Sequence, residues 1–131
     1  MTEANALVPQ LRALVQRLRT LHEDVQREFV HMERMRLKGY AREGNVIRLF
    51  DQAEATARLE RMVAAGNALI EQIQRLGCIL RDIEAGVVDF PAEIDGRPVY
   101  LCWQCDEPWV MYYHDPEAGH QGRRPLPAHA T

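Results

Sequence analysis

Cys102 and Cys105 stand two residues apart in a Cys-x-x-Cys, with His114 and His120 following. Two thiols and two imidazoles are a donor set for tetrahedral zinc, and a Cys-x-x-Cys at a strand turn commonly supplies half of it. A thioredoxin-type redox centre fits less well. There the lowered thiolate pKa depends on a helix N-terminus, whereas this pair falls at a hairpin. The same stretch offers a second constellation. Glu107, His114 and Arg123 bring a carboxylate, an imidazole and a guanidinium to an aromatic neighbourhood where Trp103 and Tyr112 could stack on a small polar or anionic molecule. His114 could then act as a general base in a hydrolytic reaction. Each constellation has a structural alternative. The region holds enough aromatic residues to fold without metal, and Arg123 could pair with Asp89 or Asp115 simply to pin the tail.

Other motifs say less. Gly119-His120-Gln121-Gly122-Arg123-Arg124 is a glycine-flanked basic loop that could cradle a phosphate on backbone amides. It lacks the strand–loop–helix setting and the lysine of a P-loop. No Ser-His-Asp ordering or helix-borne His-Glu-x-x-His is present. Met32 and Met35 read as core filler, and His22 and His31 as residues on or near a helical seam.

At 131 residues the chain is the size of one domain with a modest core. Its net charge of −3 lacks the electrostatic footprint of a nucleic-acid binder. Arg12, Arg17, Arg19 and Arg27 alternate with Glu23, Asp24 and Glu28, the pattern of a solvated helix face. No run approaches the ~20 apolar residues that span a bilayer, and the N-terminus has no secretory pattern. Cys78, Cys102 and Cys105 are odd in number and too sparse for a disulfide scaffold. The expectation is a cytoplasmic protein with neither nucleic acid nor membrane as partner. No cofactor is required, and zinc is the metal that the spacing admits.

The elements that must hold these residues follow from periodicity. Leu7, Leu11, Leu14, Leu18, Leu21 and Val25 alternate spacings of four and three, a heptad seam that slips by one at Phe29, Met32 and Met35. Thr2 is a candidate N-cap, Pro9 predicts a bent first turn or a later start, and Gly39 predicts the end. Residues Ala41 to Phe50 form a connection in which Gly44 and Asn45 suit a turn and Val46, Ile47, Leu49 and Phe50 could pack on the helix ends. Asp51 would then cap a second helix. Leu59, Met62, Gly66, Leu69, Ile73, Leu76, Leu80 and Ile83 predict that this helix runs to Gly86. Two helices of ~30 residues, each ~45 Å long, make an antiparallel hairpin. Val15, Val63, Ile70 and Ile79 widen the apolar face, which suggests a four-helix homodimer with Leu69 and Ile73 in its interface. After Gly86 the period becomes two. Val87–Phe90, Arg97–Trp103 and Trp109–His114 predict a three-stranded antiparallel meander, with Asp95-Gly96 turning the first hairpin. A second turn centred on Cys105-Asp106 would place Val99, Leu101, Trp103, Val110, Tyr112 and His114 on one face. Tyr100, Cys102, Trp109, Met111 and Tyr113 would share the other. One face should pack on the helices, the other under a partner, the tail or a ligand. The whole is α+β: one domain over 1–126, with a helical hairpin at 2–86, the meander and an ordered loop at 87–126, and a frayed tail at 127–131.

Arg81-Asp82-Ile83-Glu84-Ala85-Gly86-Val87-Val88-Asp89-Phe90-Pro91 and Asp95-Gly96-Arg97-Pro98-Val99-Tyr100-Leu101-Cys102-Trp103 are followed by Glu107-Pro108, His114, Gly119 and Gly122-Arg123-Arg124-Pro125-Leu126. Together they resemble an uncharacterised prokaryotic family catalogued as domain of unknown function 2203. The opening Thr2 to Pro9 is similar to the start of that family's first helix. The resemblance implies no assigned activity. Cys105 and His120 depart from the family pattern, as does Tyr113 where tryptophan is usual, so a zinc site using both would be private to this chain. The resulting expectation is a non-catalytic interaction or assembly module, homodimeric through its helices, that recognises a protein partner with its aromatic sheet and the Gly119–Arg124 loop. The alternatives are a small polar or anionic ligand binder or hydrolase using Glu107, His114 and Arg123, and a zinc protein.

Overall fold

The structure, a computed structural model, describes residues 2–41 and 46–127, with side chains over 2–37 and 52–127. The first helix, α1 (Thr2–Ala41), begins at Thr2 itself and passes through Pro9 without a break. Pro9 withholds the N–H that would have met the Asn5 carbonyl. On the same turn the Asn5 side chain reaches out instead, its Oδ1 accepting the Val110 N–H at 2.7 Å. Gly39 does not end the helix, since a single interior glycine costs only about 1 kcal/mol relative to alanine. The second helix, α2 (Val46–Arg75), starts before Asp51. Gly44 and Asn45, and the side chains of Val46, Ile47, Leu49, Phe50 and Asp51, lie outside the described residues.

Helix α2 stops at Arg75, well short of Gly86. The Leu76 N–H turns back to the Ile73 carbonyl at 3.1 Å and the Gly77 N–H to the Gln74 carbonyl at 2.9 Å. Gly77 then takes φ +86°, a left-handed exit that favours glycine. Ile79, Leu80 and Ile83 continue the helical spacing only by coincidence, because a short apolar run fits either period. Ile79–Asp82 is a strand, β1, followed by β2 (Val87–Ile94), β3 (Arg97–Gln104), β4 (Tyr112–His114) and β5 (Arg124–Pro125). They form one antiparallel sheet in sequential order, five strands where the alternation predicted three. The two additions are short edge strands with little alternation to read. Asp95 (φ 53°) and Gly96 (φ 80°) turn the β2–β3 hairpin as expected, both left-handed.

The register of β4 differs from the expected one. Cys102 lies opposite Tyr112 and Tyr100 opposite His114, so the connection is centred on Glu107 rather than on Cys105-Asp106. The slip is three residues, and any odd slip exchanges faces. His114 and Tyr112 therefore share a face with Tyr100 and Cys102, not with Val99, Leu101 and Trp103. Asp89, opposite Cys102, joins them.

The chain forms two compact units. The sheet unit comprises Met1–Arg19 and Leu69–Thr131. In it Leu11, Val15 and Leu18 of α1, Leu69 and Ile73 of α2, and Val88, Phe90, Leu101, Trp103 and Val110 are buried together. Leu69 and Ile73 thus belong to the core of a single chain, which corrects their expected place in a dimer interface. The helical unit comprises Thr20–Ala68. Its two helices are tied by Arg58 Nη2 and Glu28 Oε1 at 3.0 Å, and Ala55 is its one buried hydrophobic side chain among the described residues. No helix among the described residues is long and apolar enough to cross a membrane.

Candidate functional site

The face that carries Asp89, Cys102 and His114 gathers polar groups where a sheet usually buries hydrocarbon. Asp89 stands in the apolar run Val87-Val88-Asp89-Phe90 of β2, so the pleat fixes its direction with that of Cys102 across the ladder. His114 ends β4 one pair further along. All three side chains are buried, and one ligand-type atom from each lies within 4.8 Å of the others. His114 Nδ1 sits 2.8 Å from the Asp115 carbonyl oxygen, which can only accept, so this nitrogen carries a hydrogen. His114 Nε2 lies 2.9 Å from Asp89 Oδ2, the oxygen that also accepts from Arg81 Nε at 2.9 Å. Asp89 Oδ1 is buried with no hydrogen-bond partner among the described residues. Burial, then the neighbouring Asp89 carboxylate, push the Cys102 thiol up to about 12, against a smaller lowering by Arg123. A free thiol so placed is a poor nucleophile.

His120 reaches the cluster from a 3₁₀ turn, His120–Gly122, that follows Gly119 at φ 70°. Its Nδ1 lies 3.4 Å from Cys102 Sγ. Arginines cap the surrounding aromatic rings. Arg81 lies 5.0 Å from the Tyr100 ring centre and Arg123 4.3 Å from that of Tyr112, while on the opposite face Arg124 lies 5.0 Å from that of Tyr113. The Arg81 guanidinium is held more firmly protonated, chiefly by its hydrogen bond to Asp89. The tail and these cations thus cover much of the aromatic face that the sequence leaves open.

Glu107 and Arg123 come together, but with each other. Arg123 Nη1 meets both Glu107 oxygens at 2.9 Å, and Glu107 Oε1 also accepts the Gln104 N–H at 2.8 Å. The Glu107 carbonyl accepts from Trp103 Nε1 at 3.0 Å and from Arg12 Nη2 at 2.7 Å. The pinning carboxylate for Arg123 is therefore Glu107, whereas Asp115 takes Arg124 at 2.8 Å and Asp89 takes His114. Trp103 is buried on the opposite face, with the Arg12 guanidinium 5.6 Å from its ring centre, and so does not face Tyr112 or His114.

Cys105 does not join Cys102. Its Sγ is 2.9 Å from Arg19 Nη1 and 3.8 Å from the Ala85 carbonyl, against Gly86. The β3 pleat ends at Gln104, and the turn carries the second thiol away. Of the expected zinc set, Cys102, His114 and His120 gather, and Asp89 stands where Cys105 was expected. A single acid inside an apolar strand was the available signal for Asp89, because a buried carboxylate needs a partner.

Neither the comparison with curated proteins nor that with solved structures returned a match. Residues 1–126 match the family described as "Uncharacterized conserved protein (DUF2203)". With nearly its whole length matched, the chain belongs to that family.

Proposed function

We propose that the protein is a non-catalytic assembly module that homodimerises through its helical unit. The observation that carries this reading is the exposure of Phe29 (54%), Leu37 (62%) and Val63 (46%) on helices of that unit. Helices gain most of their stability from packing an apolar face, and among the described residues of this unit Ala55 is the one buried hydrophobic side chain. A second copy is the occupant that fits best. Acidic and basic residues alternate along both helices (Glu23, Asp24, Arg27 and Arg34 on α1; Glu54, Glu60 and Arg61 on α2), so the face is self-complementary rather than matched to a partner of one charge sign. Two such hairpins make a four-helix bundle. The Glu107–Arg123 ion pair supports the non-catalytic part, since a carboxylate and guanidinium closed on each other have little left for a ligand. The arginine-capped tyrosines leave less of the sheet open to a protein partner than the helices offer to a second copy.

The test is sedimentation equilibrium of the wild type and of a Phe29→Glu/Val63→Glu variant. The reading expects a dimer that becomes a folded monomer in the variant. A monomeric wild type, or a variant that stays dimeric, would remove it.

A further inference from the structure

We infer that Asp89, Cys102 and His114 form a binding site for one divalent transition-metal ion of the zinc class, with His120 closing the fourth position. This does not depend on the assembly reading. The donors are a thiolate sulfur, an imidazole nitrogen and a carboxylate oxygen, the three ligand types that zinc takes. They come from three adjacent strands of one sheet, which fixes them more firmly than loops would.

Three features go beyond proximity. His114 already makes the second-shell contact typical of a metal-bound imidazole: Nδ1–H donates to the Asp115 carbonyl, directing Nε2 at the cluster. The two His114 nitrogens then face only acceptors, Asp115 O and Asp89 Oδ2. Asp89 Oδ1, buried and without a partner among the described residues, is a carboxylate oxygen with free lone pairs beside the same thiol. Finally, Zn–S near 2.3 Å and Zn–N near 2.0 Å at a tetrahedral angle put sulfur and nitrogen about 3.5 Å apart. Cys102 Sγ and His120 Nδ1 are 3.4 Å apart. The His114–Asp89 separation of 2.9 Å has to widen by roughly 0.4 Å to become a ligand–ligand distance, a change within side-chain rotation. His120 contacts the cluster through Cys102 and lies outside the compact trio, which makes it the weakest ligand.

The experiment uses untagged full-length protein, freed of metal by a chelator and titrated with Co²⁺ and with Zn²⁺. The expected result is one ion per chain, with the thiolate-to-cobalt charge-transfer absorption of a single cysteine ligand and displacement of the cobalt by zinc. Cys102→Ala should abolish that absorption. Asp89→Asn should weaken zinc binding by more than the roughly 10–100-fold typical of losing an outer-shell partner, and His120→Ala by less than either. Cys105→Ala should bind as the wild type does. Wild-type protein that is folded by circular dichroism but takes up neither ion overturns the site, as does binding without the thiolate absorption. If the Cys102 or Asp89 variant fails to fold, the wild-type cobalt spectrum and the Cys105→Ala control still decide. Loss of the absorption in Cys105→Ala would overturn the ligand set.

Discussion

The apolar stripe of α1 is buried at Ala4, Val8, Leu11, Leu14, Val15 and Leu18, then only half-covered at Leu21 and Val25 and open at Phe29. In the sheet unit that stripe meets a wall of valine, leucine and tryptophan from its own chain. In the helical unit the same kind of stripe has two helices and, among the described residues, one buried alanine. Heptad spacing states that a face needs a partner. It does not state whether the partner is intramolecular. The contrast also separates two roles: the unit with the dense core holds the polar cluster, and the unit with the thin core presents surface.

The sharpest way to break the comparison is to cut into each unit. Trp103→Ala removes a fully buried ring and the Nε1 bond to Glu107, and should destabilise the sheet unit by about 3–5 kcal/mol. Val63→Ala should shift the same unfolding transition by less than about 0.5 kcal/mol. Urea melts followed by tryptophan fluorescence report on the sheet unit, since the fully buried Trp103 lies in its core; Val63→Ala is read on that signal, and equal losses would erase the distinction. For Trp103→Ala, far-UV circular dichroism replaces the fluorescence probe.

Gly86→Ala should cost about 2 kcal/mol or more, because Gly86 has φ 70° and an added Cβ would meet Cys105 Sγ at 2.5 Å. Gly96→Ala, at φ 80° with nothing within 4 Å of the new Cβ, should cost only about 1–2 kcal/mol. The difference between their melts isolates packing from backbone strain. Glu107→Gln leaves the Gln104 N–H an acceptor but weakens a largely buried ion pair, and should lower stability by about 1–2 kcal/mol. Limited proteolysis should then cut first between Gly119 and Leu126.

The smallest effect concerns Cys78. Burial raises its thiol from about 9 to about 11, so the folded state keeps it neutral. Its contribution to stability is complete below pH 9 and is lost as pH rises toward 11. Alkylation of Cys78 in the native protein at pH 8 should be slower than in urea by a factor of about 100 or more, and equal rates would show that the thiol is open.

The sequence made the α+β order, the Asp95-Gly96 hairpin and the first helix legible, because long periodicity and left-handed turn residues are local signals. It misread Ile79 to Asp82, where four residues cannot distinguish a helical spacing from a strand. It misplaced His114 by one face, because the β3–β4 connection has no two-residue turn to fix its register. Cys102, His114 and His120, which gather in the fold, were singled out by residue type and spacing. Asp89 carried a signal as a single acid in an apolar strand, but its place beside Cys102 depends on a ladder partner thirteen positions away in the chain.

Hydrogen exchange compared between the wild type and Phe29→Glu/Val63→Glu tests the central contrast most directly. The account predicts lost protection across residues 20–37 and 52–68 in the variant, with the β2–β3 hairpin, Val87 to Gln104, unchanged. Unchanged protection in the helices, or equal loss in both units, would contradict it.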